Sequence, residues 1–229
     1  MGKEKLFCFP YAGGSSTLYE GSLSKLKEAF DMIALDYSGH GTKFGLPLYE
    51  TMDEMVSDLY GEVTEKLSKD EDYCLFGYSL GSIVAYQIAC RLRENGYRLP
   101  GKMFLCSMEA PHKIPESEWI HKLSEEDFLD EMISMGGIDE ELLNDPLMLK
   151  IFMPIIRRDF QLHEAFEDTK HDILDTSALV IYSDEDISSD KIRNWDDFIS
   201  NVEYLCYPGG HFFIYDRCDE TVKEVIKRK

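Results

Sequence analysis

The sequence predicts an α/β fold, a parallel sheet with helices on both faces. Two observations carry this. Short, almost continuously apolar runs recur along the 229 residues, and most are separated by stretches with helical spacing. Strands that are apolar at nearly every position are buried on both sides, and such strands alternating with helices build a parallel sheet joined by right-handed crossovers. A third observation adds detail. The alternation breaks between about His112 and Asp175, where no strand pattern appears and the segment reads as helices.

Taken in order, Leu6–Phe9 and Met32–Tyr37 are the first two strands. Met52, Met55, Val56, Leu59, Val63 and Leu67 follow the helical period. Tyr73–Tyr78 is the third strand. The helix after it carries Ile83, Val84, Ile88, Ala89 and Leu92 on one side, and Gly96 is its C-terminal cap. Met103–Met108 is the fourth strand. Helices are expected at Glu125–Met135, at Glu140–Asn144 and at Leu147–Phe166, the last interrupted by Pro154, with Gly136 and Gly137 between the first two. Leu179–Tyr182 and Val202–Tyr207 complete the sheet. No repeat or low-complexity linker divides the chain. It reads as one domain, 1–229, with a helical insertion at about 112–175. An insertion of this length between strands is placed to act as a lid over their carboxyl ends.

Composition limits the partners. The formal net charge is −20 and hydrophobic residues make up 44% of the chain. The apolar share suffices for a core, which excludes an acidic disordered chain. The charge disfavours nucleic acid and anionic membrane surfaces. Residues 116–145 hold eleven acids and one base, half of the net charge, and read as a solvated helical face. The six cysteines are scattered, without a CxxC pair, and most lie within apolar runs, as reduced cysteines do in a cytoplasmic protein. The apolar N-terminal run Leu6–Phe9 is too short for a signal peptide or a membrane span. No metal-ligand spacing stands out, no cofactor is implied, and a monomer is the expectation.

The chemistry begins at Gly77-Tyr78-Ser79-Leu80-Gly81, which follows the third strand and opens a helix. This is the strand–turn–helix setting of a nucleophile elbow, and it refines the prediction to an α/β-hydrolase fold with a mostly parallel central sheet, flanking helices and a helical lid insertion. The sharp turn needs small residues on both sides of the serine, which Gly77 and Gly81 supply. A serine needs a base, and in this fold the acid and then the histidine follow it in the chain. His211, in Pro208-Gly209-Gly210-His211 after the last strand, occupies that place. His40, His112, His121, His163 and His171 lack such a setting and read as surface histidines. His40, within Gly39-His40-Gly41, is the exception, a loop residue near the site without a catalytic role. The acid belongs in the loop Ser183-Asp184-Glu185-Asp186. Three acids compete there; Asp186, past the strand end in the loop, is preferred, with Asp184 next and Asp190 and Asp216 weaker. One oxyanion donor should be the amide of Leu80. The other should come from the loop Pro10-Tyr11-Ala12-Gly13-Gly14 after the first strand, where glycines let amides approach a ligand. That loop lacks the ending of a P-loop.

Together, Phe9-Pro10-Tyr11-Ala12-Gly13-Gly14, Gly77-Tyr78-Ser79-Leu80-Gly81, Met153-Pro154-Ile155-Ile156-Arg157-Arg158-Asp159-Phe160 and Pro208-Gly209-Gly210-His211-Phe212-Phe213 resemble the type II thioesterases of nonribosomal peptide and polyketide synthases, along nearly the whole chain. The resemblance implies Ser79, Asp186 and His211 as the catalytic triad, and the Ala12 and Leu80 amides as the oxyanion hole. It also implies hydrolysis of acyl thioesters from the phosphopantetheine of acyl or peptidyl carrier proteins. The triad alone does not separate this from a carboxylesterase acting on small esters, or from a non-catalytic interaction protein on the same scaffold. One departure stands out. The family usually has Pro-Gly-Arg-Gly-x-Arg where this chain reads Ser38-Gly39-His40-Gly41-Thr42-Lys43, so an anion contact of those arginines is in question. Carrier proteins are commonly acidic, so docking is expected to avoid residues 116–145 and to use Lys113, Arg157 and Arg158. Met132, Met135, Met148 and Met153 are expected chiefly as helix-core packing.

Overall fold

A computed structural model describes residues 2–138, 140–167 and 173–229, without the side chains of Glu140 and Glu141. His171 and Asp139 lie outside the described residues. The sheet has six strands: β1 (Glu4–Phe9), β2 (Phe30–Ala34), β3 (Tyr73–Tyr78), β4 (Lys102–Cys106), β5 (Leu174–Tyr182) and β6 (Ile199–Cys206). Their spatial order is β2-β1-β3-β4-β5-β6, and every pairing is parallel. The helices are α1 (Thr17–Glu20), α2 (Met52–Lys66), α3 (Leu80–Glu94), α4 (Glu125–Ser134), α5 (Glu140–Leu143), α6 (Pro146–Glu164), α7 (Ser189–Ile192), α8 (Phe213–Asp216) and α9 (Cys218–Lys227). Among the described residues no helix is long and apolar enough to cross a membrane.

Both faces of the sheet are covered, which explains the unbroken apolar runs. All six residues of β3 and all five of β4 are buried. On one face Phe7, Leu75 and Leu105 meet Met55 and Leu59 of α2 and Val84 and Ile88 of α3. On the other, Leu6, Phe76 and Phe104 meet Leu18, Leu23 and Val222. Cys8, Cys74 and Cys106 are buried within that second core and serve as small apolar side chains.

The chain begins in the sheet at β1, places β2 at one edge, then crosses to β3 on the other side of β1. The order therefore reverses between β1 and β3. In an open parallel sheet the crevice for a ligand opens at that switch point, beyond the carboxyl ends of the two strands. The loop Pro10–Gly14 and Ser79 leave the sheet there.

Several boundaries differ from the sequence reading. β2 ends at Ala34, because the carboxylate of Asp36 is drawn off to the Ser16 amide at 2.6 Å and the Thr42 amide at 2.8 Å. Burial works against that carboxylate, yet the hydrogen bonds from Ser16 and Thr42 outweigh it and hold its pKa below the ordinary value. β4 ends at Cys106, where Ser107 turns out of the sheet at φ 48°. β5 starts earlier, at Leu174. Its first half carries Asp175, Thr176 and Ser177 and an irregular register against β6, which removes the apolar signal. α6 is not interrupted. It runs through Pro154 as one helix, because Pro154 lies on its exposed side.

The described part of the segment between β4 and β5 holds α4, α5, α6 and two short 3₁₀ turns. Phe128 and Met132 of α4 pack with Ile138 and Ile156 in a small core of their own. The acids in the first turn of α4 have a local reason. Ser124 caps that helix by accepting from the Asp127 amide at 3.1 Å, and Glu125, Glu126 and Asp127 sit at the positive end of its dipole. Asp145 caps α6 in the same way, accepting from the amides of Leu147 and Met148.

Candidate active site

Ser79 sits at the turn from β3 to α3 with φ 51° and ψ −122°. A non-glycine residue held there carries strain on the order of 1–3 kcal/mol, which the surroundings must impose. They do so by close packing. A Cβ on Gly77 would collide with the Gly81 carbonyl, and one on Gly81 with the Phe9 carbonyl, so both glycines are dictated by space. The Ser79 amide donates to the Cys106 carbonyl at 2.7 Å, and the buried Ser82 hydroxyl reaches the Gly77 carbonyl at 3.0 Å. The elbow is thereby braced against the end of β4.

The structure brings the three expected side chains together. His211 Nε2 lies 3.0 Å from Ser79 Oγ, and His211 Nδ1 lies 2.9 Å from Asp186 Oδ2. Asp186, and not Asp184, is therefore the carboxylate on the histidine. It stands in a turn closed by the Asp186 and Ile187 amides donating to the Ser183 carbonyl. The Ser183 hydroxyl donates to the Gly209 carbonyl, and the Gly209 amide donates to Glu185 at 3.1 Å, which ties the acid loop to the histidine loop.

Several supporting residues carry no local sequence signal. The Tyr78 and Ser107 hydroxyls both donate to the His211 carbonyl, the latter at 3.0 Å, and fix the backbone of the loop. The His211 ring stands edge-on to Tyr78 and Phe212. Its swing is bounded on that side.

The loop after β1 lies where an oxyanion hole requires it. Ala12, Ser79 and His211 line the same cavity. Among the described residues the Gly14 amide donates to Tyr11 and the Gly13 amide to Asp159 Oδ2 at 2.7 Å, while the Ala12 and Leu80 amides have no protein acceptor. A Cβ on Gly13, at φ 75°, would collide with Ile156, so α6 packs directly on this loop.

His40 is more than a bystander. It is buried, and its Nε2 lies 2.8 Å from the same Asp159 Oδ2, with both side chains 2% exposed. Its Nδ1 lies 3.1 Å from the Ser38 carbonyl. Two oxygen acceptors call for two N–H donors, which is the imidazolium form. Burial pulls the His40 pKa down, but the hydrogen bond and charge of Asp159 outweigh it and hold it above the ordinary value. The cation stands at the first arginine position of the family loop, and the anion it meets is the protein's own Asp159. A salt bridge on α6 thus holds an amide of the loop after β1.

Two other expectations are corrected. Arg157 is not a free landing residue. Its guanidinium donates to the carbonyls of His121, Leu123 and Ser124, in the turn that leads into α4, and lies over the Phe128 ring at 4.1 Å. Lys113 pairs with Glu167 at 3.1 Å on the surface and stays 72% exposed. His121 and His163 are not lone surface groups. His121 bonds to the buried Glu164, and the Nδ1 of His163 is itself buried.

Fold and site together define an α/β hydrolase built around a serine. The model of the thioesterase domain matches residues 4–228, so the chain belongs to the thioesterase family. Its structure aligns with that of ClbQ from the colibactin NRPS/PKS pathway with a TM-score of 0.91 at 27% identity, over 99% of this chain and 97% of that one. The gramicidin S biosynthesis protein GrsT of Aneurinibacillus migulanus is 25% identical over 230 residues, covering 99% of this chain and 89% of the relative. The medium-chain S-acyl fatty acid synthase thioesterase of Rattus norvegicus is 27% identical over 234 residues, 98% of this chain and 87% of the relative. These relatives bear out the resemblance to type II thioesterases and the assignment as a serine-hydrolase thioesterase.

Proposed function

We propose that the protein hydrolyses acyl thioesters carried on the phosphopantetheine arm of acyl or peptidyl carrier proteins, with Ser79 as nucleophile, His211 as general base and acid, and Asp186 as its orienting carboxylate. The continuous chain Asp186–His211–Ser79 beside two unengaged amides is the observation that carries this reading. Ser79 Oγ attacks the thioester carbonyl carbon as His211 Nε2 takes its proton. The Asp186 carboxylate holds Nδ1–H and stabilises the imidazolium. The oxygen becomes an oxyanion held by the Ala12 and Leu80 amides, the latter at the positive end of α3. The C–S bond then breaks, the proton passes to the departing thiolate, and a water activated by the same imidazole hydrolyses the acyl-serine.

The chain acts as one domain in which α4 to α6 serve as the lid. On that side α6 presents Leu147, Met148 and Ile151 to solvent, with Leu147 68% exposed, and Phe44 faces Phe152 across 6.2 Å. Met148 and Phe152 line a cavity of about 450 Å³ that shares Tyr11, Ala12 and Ile156 with the cavity at Ser79. A carrier protein set against this apolar rim delivers its arm from there, and the docking contact is apolar. Of the three bases expected at a landing site, Arg157 is spent on the carbonyls of His121, Leu123 and Ser124.

The test compares an acylated carrier protein with a nitrophenyl ester of the same acyl group. A kcat/KM much greater for the carrier is expected, and Ser79→Ala is expected to abolish turnover of both while the protein still melts cooperatively. Equal or better turnover of the simple ester would favour the carboxylesterase reading. Retained turnover in Ser79→Ala would remove the serine from the chemistry.

A further inference from the structure

The loop after β1 is gripped at Pro10, Gly13 and Ser16. The Tyr37 hydroxyl donates to the Pro10 carbonyl at 2.7 Å. Asp36 accepts from the Ser16 amide at 2.6 Å and from the Thr42 amide at 2.8 Å. Asp159 Oδ2 accepts from the Gly13 amide at 2.7 Å, and the same oxygen meets His40 Nε2 at 2.8 Å. Ala12 lies between the anchors at Pro10 and Gly13, so the direction of its amide follows from theirs.

These anchors differ in their response to pH. Burial works against the Asp36 charge, but the bonds from Ser16 and Thr42 keep its pKa below the ordinary value, so it stays ionised in neutral and alkaline solution. Burial, and then the charge of Asp159, pushes the Tyr37 hydroxyl well above its ordinary pKa, so it keeps its proton. His40 is the member that changes. Burial lowers its pKa, but the hydrogen bond and charge of Asp159, with smaller help from the Ser38 carbonyl and Asp36, hold it above 6.5. The Tyr37 ring stands edge-on to it at 5.6 Å.

We propose that His40 is a positioning residue for the oxyanion hole, whose second proton keeps the Asp159 carboxylate fixed on the Gly13 amide, so that kcat falls when that proton is lost. The two ring nitrogens face the Ser38 carbonyl and Asp159, and both side chains of the pair are 2% exposed. After one proton leaves, a nitrogen lone pair opposes one of those oxygens, and the carboxylate loses its counter-charge where water does not replace it. An arginine, the residue usual at this place in the family loop, would stay charged throughout. The histidine makes the hold on the Ala12–Gly13 amides titratable. This inference rests on the proposed acyl-serine chemistry and adds a residue that tunes its oxyanion hole.

The experiment measures kcat and KM for an octanoyl thioester of pantetheine from about pH 6 to about pH 9.5, with the enzyme-free rate subtracted. In the wild type kcat is expected to rise as His211 loses its proton and to fall at a second, higher pH, with KM level across the fall. His40→Gln, which keeps a donor but carries no charge, is expected to plateau about tenfold lower, a smaller loss than removing an oxyanion donor, and to show no alkaline fall. His40→Arg is expected to recover rate and also to lack the fall. Asp159→Asn, which keeps the histidine but removes its counter-charge, is expected to move the fall to lower pH. A wild-type kcat that stays level to the alkaline end of the range overturns the inference, as does a fall that persists unshifted in the His40 variants. A fall that coincides with loss of the cooperative melt is unfolding and overturns it as well. Should His40→Gln fail to fold, His40→Arg and Asp159→Asn give the same readout. Ser79→Ala, assayed alongside, separates the two readings. Inactivity there together with an unshifted fall in the His40 variants rejects the positioning role alone, and retained turnover rejects the nucleophile.

Discussion

Asp184 and Asp186 stand two residues apart in one loop, and only Asp186 touches His211. Replacing its carboxylate with an amide removes the charge that stabilises the imidazolium and permits the wrong histidine tautomer. Asp186→Asn is therefore expected to lower kcat by about 10³–10⁴-fold, with Asp184→Asn close to the wild-type rate. A steady-state assay of both variants checks this, and the reverse order would reassign the acid. The serine and the histidine were legible because their settings are local: Gly77 and Gly81 are imposed by carbonyls a few ångströms away, and the glycine loop precedes His211 directly. Asp186 was legible only as one of several acids, since the sequence orders them along the loop but does not aim them. Ser107, Tyr78 and Asp159 were not legible as supports. Their partners lie far away in sequence, at His211 and at Gly13, and neither a hydroxyl at a strand end nor a carboxylate on a helix carries a mark of what it will meet.

At the scale of an element, α6 joins the two halves of the site. Pro154 suggested a break, but the helix passes through it, and the residues beyond it, Ile156, Asp159 and His163, are spaced to meet Gly13, His40 and the Ser79 cavity from one side. Asp159 bears the greatest consequence. Asp159→Asn leaves His40 without its counter-charge and weakens the hold on the Gly13 amide, next to the proposed Ala12 donor. His40 can shed its proton, so the cost is below that of a buried pair that cannot; about 1–3 kcal/mol is expected. A thermal melt should show that loss, and kcat should fall more than KM rises, because a misplaced amide is felt by the oxyanion more than by the bound ester. An unchanged kcat with a lowered Tm would mean the contact only holds the fold. The strands were legible where both faces are buried, as in β3 and β4. The first half of β5 was hidden by its polar residues, and the end of β2 was misread because Asp36 diverts the chain by bonds that periodicity does not register.

For the whole molecule, groups with displaced pKa values shape how stability changes with pH. His40 is held above its ordinary pKa, so its contribution is full in acid and fades as pH rises through that raised value. Asp36 is held below its ordinary pKa, so its contribution is full above the unfolded carboxylate value and fades only in stronger acid. His163 falls between them. Its folded pKa is about 4 against an ordinary 6.5, so the neutral ring favours the fold above pH 6.5, and that contribution is lost as pH falls toward 4. A folded pKa one pH unit away from the unfolded one corresponds to about 1.4 kcal/mol, so acidification across this window should cost on the order of 1–3 kcal/mol through this one side chain. In a chain of this size that is several degrees of Tm, at about 2–4 °C per kcal/mol. The wild-type Tm is therefore expected to drop between pH 6.5 and 4.5 by several degrees more than that of His163→Leu, which has no proton to take up. Melting curves of the two proteins at matched ionic strength across that range measure the difference. Parallel slopes would show that the imidazole finds a partner for its charge in the folded state and is not the group that sets the acid limit.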